Sequence, residues 1–135
     1  MSFDRVEHMR RSVEDRWNRG DVAGFMAAFA ADAELQPDAT FPGGGATIRG
    51  KEKIQGFFEG IHRPVELGQI EVVGDEVMCS FRWAGGPAEA GYDWTFLYRF
   101  CGDQIVRARY YADPEHARQA AARSRQGDAT WNSDS

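Results

Sequence analysis

The chain of 135 residues has room for one domain, large enough to bury about two-thirds of its unfolded surface. A net charge of -5 and a pI of 5.2 exclude a general affinity for nucleic acid or an anionic membrane surface. No apolar run reaches membrane-spanning length, and the charged start MSFDRVEHMRRSVEDRW lacks the apolar stretch of a secretory signal, so a cytoplasmic location is expected.

Asp4 to Arg19 reads as a helix, because Val6, Met9, Val13 and Trp17 recur at steps of three and four among charged residues. Gly20 ends it, and Asp21 is placed to cap a second helix from Val22 to about Ala31. That helix puts Val22, Phe25, Met26 and Phe29 on its buried side. A short strand from Ala33 to Pro37 leads into the loop PDATFPGGGATIRG, whose three consecutive glycines leave it free to move unless something ties it down. A third helix runs from Lys51 to His62, with Ile54, Phe57, Phe58 and Ile61 on one face and Pro64 marking its end.

The second half is a succession of strands. Val65 to Val73, a Gly74-Asp75 turn, and Val77 to Trp83 are followed by a loose connection from Ala84 to Gly91. Tyr92 to Phe100, a Gly102-Asp103 turn and Ile105 to Ala112 complete the set. Helices first and an antiparallel meander afterwards indicate an α+β domain with its helices gathered on one face of the sheet. The domain is expected over residues 1–113, and residues 114–135 form a short helix through Arg125 and a tail of disordered composition.

Side chains alternate faces along a strand, so pattern assigns them to sides. Tyr92, Trp94, Phe96, Tyr98 and Phe100 form a ladder of rings, opposite Asp93, Thr95, Leu97 and Arg99. Val77, Cys79, Phe81 and Trp83 share the apolar face in the preceding strand. Val106, Ala108, Tyr110 and Ala112 do so in the last. The small side chains Ala108 and Ala112 flank Tyr110 and leave space, either for a ligand or for the first and third helices to fill. Arg82, Arg99, Arg107 and Arg109, with Asp93, Tyr111 and Asp113, fall on the outer face and read as a polar dimer interface.

Several chemistries lack their residues. Cys79 and Cys101 sit in strands without metal-ligand spacing and read as buried, reduced thiols. His8, His62 and His116 are scattered, with no HExxH pair. The GGG run lacks the Lys-Ser/Thr of a phosphate loop, so no metal or other cofactor is expected.

The run NRGDVAGFMAAFAADAEL resembles the second helix and first strand of the nuclear transport factor 2-like superfamily. IRGKEKIQGFF resembles its third helix, and GDQIVRARYYADP its final strand. The likeness spans about residues 4–113 and implies a cone-shaped, curved sheet around one apolar pocket, commonly in a homodimer formed through the outer sheet face. The superfamily includes ketosteroid isomerases, limonene epoxide hydrolases, SnoaL-like polyketide cyclases and non-enzymatic binding members, so fold alone does not supply an activity.

Where the resemblance puts the isomerase tyrosine, base and oxyanion-hole Asp, this chain has Val13, Pro37 and Phe96. The epoxide hydrolase Asp–Arg–Asp set is met by Cys79, Phe81 and Trp83, and the final-strand Asp of SnoaL-like cyclases by Tyr110. Asp38, one residue beyond Pro37, is the remaining acid–base candidate, and Tyr110 a hydrogen-bond donor to a carbonyl or enolate. Trp17, Phe41, Phe58, Phe81, Trp83, Tyr92, Trp94, Phe96, Tyr98 and Ala108 are the candidate ligand contacts. The expectation is a domain that holds a flat apolar molecule of polyketide, steroid or terpenoid type. It acts either as an isomerase, cyclase or lyase, or as a non-catalytic binding or interaction domain.

Overall fold

The computed structural model describes residues 4–37, 46–85 and 91–123. The Asp4 carboxylate accepts from the Glu7 N–H at 3.1 Å and caps α1, Arg5–Arg11. The helix then widens into a π-helical turn over Ser12–Arg16 and tightens to a 3₁₀ turn at Trp17–Arg19. The single helix expected over residues 4–19 is therefore three helical forms in series. Apolar steps of four overshoot a 3.6-residue turn by about 40° each, and a wider turn removes much of that drift. Met9, Val13 and Trp17 consequently all stay buried.

Gly20 takes a left-handed φ of 82° to end this segment, and the Asp21 carboxylate caps α2, Val22–Phe25, by accepting from the Gly24 N–H at 2.8 Å. The second helix stops well before Ala31. After a 3₁₀ turn at Met26–Ala28, the backbone joins strand β1, Phe29–Pro37, where Phe29 pairs with Ile105. Tertiary pairing outweighs local helix propensity there.

A two-residue strand β2, Ile48–Arg49, has no counterpart in the sequence reading. Gly50, at φ 101°, turns it into helix α3, Lys51–Ile61. Strands β3, Val65–Val73, β4, Glu76–Trp83, β5, Trp94–Cys101, and β6, Gln104–Tyr111, follow close to expectation. The six strands form one sheet in the order β2-β1-β6-β5-β4-β3, with β1 and β6 parallel and the other neighbours antiparallel. Register shifts interrupt the β1–β6, β3–β4 and β5–β6 ladders. Such bulges bend and twist a sheet, here around the N-terminal helices.

One shift corrects the reading of β6. Arg99 faces Arg107 but Phe100 faces Ile105, so Val106 is the extra residue. Ile105 therefore joins the main core, whereas Val106 is only half-buried and Ala112 lies beyond the strand.

The main core unites Met9, Val13, Trp17, Phe25, Phe29, Ile54 and Phe58 from the helical side and β1 with Val77, Cys79, Phe96, Tyr98 and Phe100 from the sheet. A second core lies on the opposite sheet face. There Ala117, Ala120 and Ala121, from the helix over residues 114–123 (α4), cover Met78, Leu97 and Tyr111. Helices thus occupy both faces, because the apolar outward residues Met78 and Leu97 need covering. Arg99, Arg107 and Arg109 share that outer face as expected, with Arg109 paired to the buried Glu76 at 3.2 Å. Arg82 pairs instead with Glu66 across the β3–β4 ladder at 2.7 Å. Cys79 is a buried thiol, but Cys101, at the end of β5, is exposed.

Candidate functional site

The helices do not fill the cone. A cavity of about 720 Å³ remains between the concave sheet face and the N-terminal helices, lined by Trp17, Phe58, Phe81, Trp83, Trp94, Phe96, Tyr98 and Tyr110 among the sequence-derived candidates. Small-molecule sites usually span roughly 300–1,000 Å³. Val13, Phe25, Ala46, Ile48, Phe57, Ile61, Val65 and Asp93 complete the lining among the described residues.

A polar clasp fixes the helical wall. The Trp17 indole N–H donates to the Arg63 carbonyl at 2.7 Å, and His62 Nε2 lies 2.6 Å from the Trp17 carbonyl. Asn18 donates from Nδ2 to the Val65 carbonyl at 2.9 Å and accepts from the Val65 N–H at 2.8 Å. These bonds join the first helical segment to the chain between α3 and β3. They hold Trp17 edge-on to Phe25 and Phe58, with centroids at 5.3 and 5.5 Å. The sheet wall is built from Phe81 stacked on Trp94 at 5.5 Å and Phe96 stacked on Tyr98 at 5.1 Å. Register pairs Phe81 with Trp94 and Phe96 with Tyr110 across the strands.

Two tyrosines, Tyr98 and Tyr110, belong to this lining. Tyr98 is 1% exposed, and its hydroxyl makes no hydrogen bond to a described residue. Burial first, then the neighbouring Cys79, pushes the Tyr98 pKa well above its ordinary value. Burial also raises that of Tyr110. Both phenols therefore remain protonated donors at neutral pH. Cys79, completely buried, is pushed up by the same desolvation and stays a neutral thiol.

Ala108 faces Tyr98 across the β5–β6 ladder and is wholly buried, outside the cavity lining. Its small side chain leaves that part of the sheet face to the Tyr98 ring. Tyr92 lies outside as well. β5 begins at Trp94, two residues later than expected, so strand alternation does not aim Tyr92 inward. Its ring rests on Gly68, where a Cβ would collide with it. Asp38, Phe41 and the loop glycines Gly43–Gly45 lie outside the described residues, as does the tail from residue 124 onward.

Asp93 was expected on the outer face, but it lines the cavity. Because it precedes β5, alternation does not control its direction. Its carboxylate accepts from the Trp83 N–H at 2.8 Å, and its own N–H donates to the Phe81 carbonyl at 2.8 Å. It is the only charged side chain among the described lining residues. Period-two alternation pointed away from this placement, and no sequence signal opposed it. Phe57 and Ile61 were legible as the apolar stripe of α3, though the structure leaves them partly exposed at the cavity rather than in the core. No group of three or more metal-ligating side chains occurs among the described residues.

The model of the SnoaL-like domain matches residues 9–108. No curated protein sequence matches the chain. Among solved structures, a SnoaL-like protein of unknown function from Burkholderia thailandensis superposes with a TM-score of 0.63 at 19% identity, covering 78% of this chain and 92% of that one. An NTF2-like protein of unknown function from Cytophaga hutchinsonii gives 0.64 at 11% identity, over 87% and 96% of the two chains. A protein with a ketosteroid isomerase-like fold from Catenulispora acidiphila, solved in complex with trimethylamine, gives 0.57 at 20% identity, over 84% and 88%. At these identities the superpositions speak for the fold alone, and with the domain match they are decisive: the chain belongs to the SnoaL-like family of the nuclear transport factor 2-like superfamily.

Proposed function

We propose that this protein takes up a flat, mostly apolar small molecule bearing a carbonyl group and orients that carbonyl with the hydroxyls of Tyr98 and Tyr110. The observation that carries the reading is a cavity walled by aromatic rings whose lining includes Tyr98, a residue 1% exposed with no hydrogen bond from its hydroxyl to a described residue. Tyr110 stands two positions from Ala108, the residue opposite Tyr98, so the two phenols are diagonal neighbours on one sheet face.

The same donors suit proton transfer next to a carbonyl. A base removes the α-proton, negative charge builds on the oxygen, the phenols stabilise it, and the proton returns at another carbon. We assign the base role to Asp38. It follows Pro37 in the sequence, and Pro37 pairs with Tyr110 across the parallel β1–β6 ladder. A non-catalytic binding role is the second reading. It is favoured by Val13, Pro37 and Phe96, which occupy the positions where the resembled isomerases carry their reactive groups.

The first test is a thermal-shift screen against steroids, polyketide fragments, terpene epoxides and flat aromatic ketones. A ligand at 100 times its Kd stabilises the fold by about 2.7 kcal/mol, a rise of several degrees for a domain of this size. No shift with any compound would sink the ligand-binding reading. For a compound that is turned over, Asp38→Asn should lower the rate about 10²-fold or more, and an unchanged rate would remove Asp38 from the mechanism.

A further inference from the structure

An apolar ligand does not account for Asp93. Asp93 is solvent-exposed yet contributes to the lining, and bringing an apolar group against a carboxylate strips it of water without compensation. Asp93 is nevertheless held in place by the Trp83 N–H at 2.8 Å, and its other carboxylate oxygen makes no bond to a described residue. No cation among the described residues forms an ion pair with it.

The rings next to it matter equally. The backbone N–H of Trp83 is the donor to Asp93, and Trp94 follows Asp93 in the chain. Their centroids are 4.6 Å apart with planes inclined at 49°, so the indoles make a corner rather than a flat stack. All three side chains line the cavity. The Arg63 guanidinium already lies over the Trp83 ring, 4.8 Å from its centroid, so a ligand cation would meet the Trp94 side of the corner and Asp93. Indole is the best of the side-chain rings at binding cations.

We propose that the ligand of this cavity carries a protonated amine or quaternary ammonium group, which docks against the Asp93 carboxylate and the indole rings of Trp83 and Trp94. This rests on the ligand-binding reading above and narrows it to apolar amines. The carboxylate neutralises the cation and the indoles replace its hydration, while the apolar body of the molecule extends toward Phe96 and Tyr98. Trp83 and Asp93 lie where β4 and the approach to β5 meet, so the charged end of the ligand faces the exposed side of the lining and its apolar end the core.

The test compares 2-naphthylmethylammonium with 2-naphthylmethanol, which share one flat body and differ in charge. Isothermal titration calorimetry on the full chain should show the ammonium binding about ten-fold tighter or more. In Asp93→Asn, whose side-chain oxygen can still accept from the Trp83 N–H, that preference should fall to within about two-fold while the alcohol binds as before. Raising the salt from about 0.05 to 0.5 M should weaken the ammonium and spare the alcohol in the wild-type protein, a readout that stands even if the variant misfolds. Equal binding of the two probes, or tighter binding of the alcohol, overturns the amine inference and leaves the ligand cavity standing. An ammonium preference that survives intact in folded Asp93→Asn overturns the role of Asp93. Binding of neither probe removes both readings together.

Discussion

Replacing Asn18 by Ala should cost about 2–4 kcal/mol of stability, far more than an ordinary helix-end substitution. The Asn18 amide meets both polar groups of one backbone unit, donating to the Val65 carbonyl at 2.9 Å and accepting from the Val65 N–H at 2.8 Å. Val65 is 5% exposed and opens β3, where it pairs with Trp83. Truncation leaves a buried donor and a buried acceptor without partners, each costing about 1–3 kcal/mol and softened where water enters the void. A chain of this length is stable by about 7–20 kcal/mol, so the variant should fold. With a urea slope of about 1–3 kcal/mol per molar, the unfolding midpoint should fall by about 1–2 M at unchanged slope. Asn18→Asp keeps the acceptor and loses the donor, and should fall between the two. A midpoint shift below about 0.3 M in Asn18→Ala would refute the reasoning, because the clasp would then be replaceable by water at no cost. The effect should also reach the cavity, since Trp17 is the next residue and lines it.

Tyr98→Phe should leave stability within about 0.5 kcal/mol of wild type, since the lost hydroxyl has no partner among the described residues, and should weaken binding of a ketone probe by about two- to ten-fold. A large loss of stability in equilibrium unfolding would show that the hydroxyl is structural instead. Asp113→Ala should cost about 1 kcal/mol in urea titration, because the Asp113 carboxylate caps α4 by accepting from the His116 N–H at 2.9 Å. The hydrogen bond from the His116 backbone, partly opposed by burial, holds the Asp113 carboxyl below its ordinary value of 3.8. The unfolded chain therefore takes up this proton first, so the contribution is complete above that value, shrinks as pH falls through it, and is gone below the folded value. The stability gap between wild type and variant should narrow accordingly on acidification. Burial, partly offset by Asp103, depresses the imidazole of His8 below its ordinary 6.5, so the unfolded state binds the proton first and stability should decline as pH drops through that value. His8→Gln should flatten the dependence of Tm on pH between about 7 and 5.

The fold was legible where one periodicity ran uninterrupted. Tyr98 and Leu97 fall on opposite faces because β5 is regular between Trp94 and Arg99, and the ladder of rings follows directly. It was illegible where register or an element end intervened. Val106 was misplaced because a bulge is a property of the pair of strands and leaves no mark in either alone. The early end of α2 has the same origin, since the partner of Phe29 is Ile105, far along the chain. Eight of the twelve candidate site residues line the cavity, and the two described exceptions each have a local cause. Tyr92 precedes its strand, and Ala108 yields its place to a ring. Asp93 escaped for the same reason as Tyr92: alternation was extended two residues past where the ladder begins.

The cavity persists because its rings spend their contacts on one another. Phe96 stacks on Tyr98 and Phe81 on Trp94, each pair within 18° of parallel, so ring faces are turned to neighbours along the sheet. Trp17, Phe25 and Phe58 do likewise on the helical side, edge to face. Two self-contacting walls, joined through Phe58 and Phe96 at 6.4 Å and held in position by the Asn18 clasp, have little left to gain by collapsing together. Bulges in the sheet then hold the walls apart by curvature. The polar groups in this frame are sorted by sign. Tyr98 is buried among the ring faces, and the exposed Asp93, held by the Trp83 backbone N–H, lies where β4 meets the approach to β5. The ligand we propose accepts hydrogen bonds at one end and carries positive charge at the other, the form of an aminoketone with a flat apolar body.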